Sequence, residues 1–270
     1  MKSDITTLRN IFDAQSLKID ELDIESEEDI LTTIKKFSSQ DLVPRTIKGH
    51  NKEALTKLYE YLAREYCSYF KEDKEYTLGD FDNWHYKMCL EVQTYYKKQI
   101  SVELQYGKAQ KIINMTFKYC FCLKNAEKYI NKFQFCHMPL DSYTLDGWFK
   151  QDVLSWKNKN LENKSDKLLK TKIPAWSNLT DVTYGEIQNI IREYLQKARH
   201  IYKDEKRASL TSFQTEFYVW AEQRWLRSIK DLDKQDILKD NFPHYSHENI
   251  YNKTTIKLFR KIIKSIKKFK

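Results

Sequence analysis

Apolar residues recur at helical spacing along most of this chain, and that period sets the expected elements. Glu27 to Phe37 carries Ile30, Leu31, Ile34 and Phe37, so residues 1–40 are expected to form a helical extension. Ser38 to Gly49, with Pro44, reads as a linker. Asn51 stands where it would cap a helix to about Phe70, with Leu55, Leu58, Tyr59, Leu62 and Tyr66 on one face. Asp80 starts the next helix, which carries Trp84, Met88, Val92, Tyr95 and Tyr96 and runs into a break at Tyr106-Gly107. From Lys108 to Phe121 the pattern is apolar over most of the helix girth, with Ile112, Met115 and Tyr119 beside Ile113, Phe117 and Cys120. Such a helix belongs in the interior.

A short helix about Ala126 to Phe133 leads to a corner at Pro139-Leu140-Asp141, after which Ser142 to Val153 is again helical. Lys157 to Lys172 is rich in Asn and Lys and reads as a loop or a poorly ordered insertion. Ile173 to Trp176 reads as a packed turn. Thr183 and Glu186 have capping-box spacing for a helix to about Tyr202. Thr211 or Ser212 caps Phe213 to Ile229, a short helix spans Lys234 to Leu238, and Thr254 to Lys270 is a basic helix. The organisation expected is an extension over 1–40, a helical domain over 41–252 and a basic C-terminal helix over 253–270.

Composition narrows the class. Five Gly and four Pro in 270 residues argue against a barrel, a sandwich or a Gly-rich nucleotide-binding fold. The fold class is all-α. Lys and Arg total 47 against 38 acids, a formal charge of +9. The excess is uneven: residues 20–29 hold seven acids, and the last twenty residues hold eight Lys or Arg and no acid. Without that tail the charge is 9 − 8 = +1, so any anion-binding tendency lies at the C-terminus. The basic helix reads either as packed with a solvated lysine face or as a tail following phosphates, with Lys261 and Lys264 as candidate contacts.

Cys67, Cys89, Cys120, Cys122 and Cys136 are odd in number, form no CxxC pair and lie in apolar contexts. They read as reduced core residues of a cytoplasmic protein. No signal peptide is expected, and no apolar run reaches the ~18 to 20 residues of a membrane span. His244 and His247 share a turn without a convergent Cys or carboxylate pair, so no metal is expected there, and no cofactor elsewhere.

Most of the functional signal lies between Val102 and Phe149. Lys108 and Lys111 sit at the start of a helix, where the dipole disfavours cations. An anionic partner gripped by free N–H groups would explain them; so would a lysine kept neutral and nucleophilic, or two solvated surface residues without a task. Asp141, after Pro139-Leu140, reads as a helix N-cap or as a working carboxylate. Gln110 could read a base edge. His137, between Cys136 and Met138, could do the same, touch phosphate, or be a satisfied structural histidine.

This arrangement resembles the helix-hairpin-helix DNA glycosylases, and within them the divergent branch with archaeal and bacterial 8-oxoguanine glycosylases. The resemblance rests on a hairpin at Leu104 to Ala109, a lysine in the following helix, and the Pro139-Leu140-Asp141 corner. It covers about fifty residues. The usual hairpin has two glycines; here Gly107 remains and Gln105 holds the other place. The lysine-to-aspartate separation is 141 − 111 = 30 positions, which suits the branch with an insertion. The resemblance implies two helical lobes and duplex DNA as partner, bound by a monomer through Gln105, Tyr106, Gly107, Gln110 and His137. It also implies a base flipped out of the stack. Lys111, with Lys108 as second choice, would attack the anomeric carbon and form a Schiff base, with strand scission able to follow. Asp141 would stabilise the sugar's positive charge and help activate the amine.

Two other classes remain open. One is a non-catalytic helical module for nucleic acid or protein, needing neither Lys111 nor Asp141. The other is a defence-associated helical nuclease using an Arg and a His on one helix, for which Arg192 and His200 are the candidates, though their spacing gives no clear common face.

Overall fold

The computed structural model describes residues 7–10, 17–40, 52–160, 173–198 and 210–234. The described elements are helical, as the period requires, and the only strand-like pairing among them is an isolated bridge between Asp23 and Lys124. The α-helices are α1 (Glu27–Thr33), α2 (Lys52–Lys71), α3 (Leu78–Tyr95), α4 (Tyr106–Cys120), α5 (Ile130–Phe133), α6 (Leu154–Asn160), α7 (Asp181–Ala198) and α8 (Ser212–Lys234). Wider π-helical turns extend α1 over Ile34–Ser38 and α3 over Tyr96–Ile100, and a longer one, Ser142–Val153, runs into α6. No described helix is long and apolar enough to cross a membrane. Residues 1–224 form one compact unit and 225–270 a second. The described part of the second is the end of α8.

Helix α4 is the axis of the larger unit. Thirteen of its fifteen residues are buried; the exceptions are Lys108 and Lys111, which are half-buried. Phe117 meets Tyr66, Tyr69, Phe70, Phe81, Trp84 and Phe133 at ring-centroid distances of 4.8 to 6.4 Å. Most of these contacts are edge-to-face or tilted, the arrangement the ring quadrupoles favour. The Tyr66 hydroxyl donates to the Ile113 carbonyl at 2.6 Å, so this fully buried ring also satisfies its polar end. Arg9 closes the C-terminal end of α4 by donating to the carbonyls of Phe121 and Leu123.

Caps fix the helix starts, and several differ from expectation. Thr77, not Asp80, caps α3; Asp80 is the reciprocal partner three residues in. Thr180 caps α7, accepting from the Thr183 N–H, so Thr183 lies inside the first turn and is not the cap. Thr211 caps α8 in a reciprocal pair with Gln214. α6 extends helix to Asn160, into the stretch expected as a loop. The expected cap Asn51, residues 161–172, the C-terminal helix with Lys261 and Lys264, and His200, His244 and His247 lie outside the described residues.

The chain break before α4 is not at Gly107. It lies at Ser101, whose φ of 57° is left-handed, and an extended stretch then leads to α4. Gly107 is the second residue of α4, and it is glycine because the chain approaches it from outside. A Cβ there would lie 1.9 Å from the Trp176 carbonyl oxygen. Its N–H donates to the Leu179 carbonyl at 3.0 Å. Lys108 is therefore the third helical residue, and Lys111 the sixth, in the second turn rather than the first.

A buried ion pair joins α4 to α8. Lys118 Nζ lies 2.7 Å from Glu216 Oε2, with side chains 0% and 2% exposed, and sits over the rings of Trp220 and Phe217. The attraction must offset the cost of removing two charges from water. Lys118→Met should therefore lower unfolding free energy by about 3 to 5 kcal/mol in urea melts, and adding Glu216→Leu should recover most of it. Gly107→Ala should lower the melting temperature by several degrees. Gly185→Ala, at a helical site with nothing within 4 Å, should raise it slightly, by about 0.5 to 1 kcal/mol of stability.

Candidate functional site

Of the two half-buried lysines of α4, Lys111 faces the Pro139-Leu140-Asp141 corner. Lys111 Nζ lies 3.8 Å from Asp141 Oδ2, with both side chains 12% exposed. The Trp176 ring lies 5.0 Å from the ammonium, close enough for a cation–π contact. Asp141 is also the N-cap of the Ser142–Val153 helix. Its Oδ1 accepts from the N–H groups of Tyr143 and Thr144, while its own N–H donates to the Thr144 hydroxyl. The two readings of Asp141 are thus divided between its oxygens: Oδ1 caps, and Oδ2 faces the amine. Neither α4 nor the corner is free to drift. Thr144 Oγ1 donates to the Pro139 carbonyl, and Gln110 bonds to both polar groups of the Leu140 backbone.

The other predicted contacts lie as follows. Gln110 is fully buried, and its amide bonds to Gly107, Leu140 and Asn114, so it offers no donor or acceptor to a base edge. Tyr106 is buried against the rings of Tyr184 and Tyr86. The Gly107 N–H is committed to Leu179, so it is not presented to a phosphate. Gln105 is exposed, precedes α4 without a side-chain cap bond, and lines a shallow depression with Leu90, Gln93, Lys97 and Leu104.

His137 is a satisfied structural histidine. It belongs to a buried polar chain that crosses the unit from α3 to α7. The hydroxyl of Tyr184 accepts from Asn114 Nδ2 at 2.8 Å and lies 2.9 Å from His137 Nδ1. On the other side of the ring, His137 Nε2 lies 2.7 Å from Asp82 Oδ1. Arg192 donates to both Asp82 oxygens, at 2.7 and 3.1 Å, and its Nη2 lies 2.6 Å from His137 Nε2. His85 stacks on Tyr184 with 6° between the planes and lies 4.4 Å from the His137 ring. Gln188 donates to the Met138 carbonyl, tying the same helix to the corner.

Electrostatics keep both imidazoles neutral. Burial, and then the nearby Arg192 charge, lower His137 to about 4 against the pull of Asp82. Burial drives His85 well below its usual value. Burial alone would raise the Asp82 carboxyl; bonds from His137 and Arg192 outweigh it and hold the group well below the carboxylate range. Asp82, His85, Asn114, Tyr184 and Arg192 were not legible as a group in the sequence. One signal was present: Tyr184, Gln188 and Arg192 recur every four residues on the inward face of α7.

The pH dependence follows from these shifts. An unfolded histidine titrates near ~6.5, so between pH 6.5 and 4 the unfolded chain binds the proton that folded His137 refuses. The stabilisation is complete above pH 6.5 and is lost as pH falls toward 4. Protonation of Asp82 extends the loss to lower pH. Urea melts should show stability falling between pH 7 and pH 4.5 by an amount on the order of 2 kcal/mol from His137, with a shallower slope in His137→Gln. A wild-type profile flat over that range contradicts the buried neutral imidazole.

Compared with protein-family models, with curated proteins and with solved structures, the chain matches none.

Proposed function

We propose that this protein is a DNA glycosylase with lyase capacity, acting as a cytoplasmic monomer on a damaged or modified base flipped out of duplex DNA. One observation carries the reading: the only incompletely buried residues of the central helix are lysines, and one of them, Lys111, faces a carboxylate 3.8 Å away beneath a tryptophan ring. Asp141 Oδ2 is placed to take the amine's proton. The amine then attacks the sugar's anomeric carbon; the glycosidic bond breaks with its electron pair leaving on the base, which takes up the proton from Asp141; the bound nitrogen passes a proton to the ring oxygen as the sugar ring opens, leaving the Schiff base. Lys108 is the second-choice nucleophile.

A different observation favours a second reading, a non-catalytic helical module. The Gly107 N–H and the Gln110 amide are consumed inside the protein, so the turn before α4 lacks the phosphate grip the resemblance implies. In that reading Lys111 and Asp141 form a structural ion pair. The nuclease reading loses one of its two residues to another task, because Arg192 is bound to Asp82 and His137.

Borohydride trapping separates these readings. Wild-type protein incubated with duplexes carrying oxidised, deaminated or abasic sites should give a covalent adduct. Lys111→Gln should abolish it, and Asp141→Asn should slow it by roughly 100-fold or more, the scale of a lost proton-transfer group. Salt-sensitive DNA binding without any adduct in the wild type contradicts the enzyme and leaves the module.

A further inference from the structure

Lys111 and Asp141 are each one peptide unit away from a pair of residues that hold each other. Gln110 precedes Lys111, and Leu140 precedes Asp141. Gln110 Nε2 donates to the Leu140 carbonyl at 2.8 Å, and the Leu140 N–H donates back to Gln110 Oε1 at 3.3 Å. A side-chain amide here pairs with a main-chain peptide as one strand residue pairs with another. The remaining capacity is also used: Nε2 donates to the Gly107 carbonyl, and Oε1 accepts from Asn114 Nδ2, both at 2.8 Å. All four hydrogen-bonding positions of the amide are filled, and the side chain is 0% exposed.

We propose that Gln110 is the positioning residue of the Lys111–Asp141 pair: its amide clamps α4 to the corner and so sets the amine-to-carboxylate separation. The inference rests on the site described under Proposed function, and it concerns how that site is held rather than which base it removes. The clamp is rigid because both ends are fixed independently. On the α4 side, Gly107 is wedged against Trp176 and Leu179. On the corner side, Thr144 Oγ1 bonds to Pro139, and Gln188 to Met138. Asn114 passes the same constraint to Tyr184, and through it to His137 and Asp82. The two bonds to Leu140 are the direct tie between the residue before the carboxylate and the residue before the amine. A lysine side chain is long and flexible, so a displacement of about 1 Å at the corner is enough to lose the near-attack geometry.

The test uses Gln110→Met, which keeps the volume and removes every bond, and Gln110→Glu, which keeps the acceptor and removes the donations to Gly107 and Leu140. Near-UV circular dichroism selects the variants that retain the fold; should the methionine variant not fold, the glutamate variant carries the test. Three quantities are read: the rate of borohydride trapping at saturating abasic duplex, the dissociation constant of that duplex, and the Lys111 Nζ to Asp141 Oδ2 distance in a crystal structure of the variant. The expected result is a trapping rate at least tenfold lower, a dissociation constant within twofold of wild type, and a distance beyond 4 Å. A merely structural role would instead weaken binding and trapping together through the folded fraction. An unchanged trapping rate, or a distance kept near 3.8 Å, overturns the inference. If the wild type traps nothing, the glycosylase reading fails by itself, and the crystallographic distance alone decides the clamp.

Discussion

A central helix buried over all but one strip must find partners for the polar groups it carries inward, and that constraint governs this structure. α4 brings Gln110, Asn114, Thr116 and Lys118 into an interior otherwise lined with aromatic rings. Each unpaired group would cost on the order of 1 to 3 kcal/mol, and more if charged. Neighbouring elements and α4 itself meet most of that demand, with Asn114 Oδ1 left without a partner among the described residues. Leu140 and Gly107 bond Gln110, Tyr184 bonds Asn114, the Ile112 carbonyl takes the Thr116 hydroxyl, and Glu216 pairs with Lys118. The corner, α7 and α8 are thus held in place by polar side chains of one helix as well as by apolar packing.

The candidate site is what that pairing leaves over. Lys108 and Lys111 occupy the one strip of α4 that faces outward, and the corner that Gln110 holds presents Asp141 to it. Trp176 is there because the same turn that brings its ring over Lys111 presses its carbonyl against Gly107. Glycine at 107 is thus explained by packing between two protein segments, and the close approach it allows serves the site indirectly.

The all-helical class was legible because the apolar period persists through α2, α3 and α4. The burial of α4 was legible because its apolar positions run round the whole girth. Lys111 and Asp141, singled out in the sequence, lie 3.8 Å apart in the structure. Contacts decided by distant residues were not legible. Gly107 looks like a turn glycine until Trp176 and Leu179 are seen beside it. Gln110 and His137 carry the chemistry of base readers, yet both are enclosed, Gln110 by Leu140 and His137 by Tyr184 and Asp82, each from an element far away in sequence. The caps missed by three residues, at Thr77 and Thr180, are cases where two Thr or Asp residues share one capping box and either could be the first.

The account depends most on Lys111 and Asp141 being direct neighbours in solution. Zero-length carbodiimide coupling followed by peptide mapping measures this, since an amide forms only between an amine and a carboxylate already in contact. The predicted result is a cross-link joining the Lys111 peptide to the Asp141 peptide, absent in Asp141→Asn. Recovery of Lys111 joined to a different acid would contradict the site.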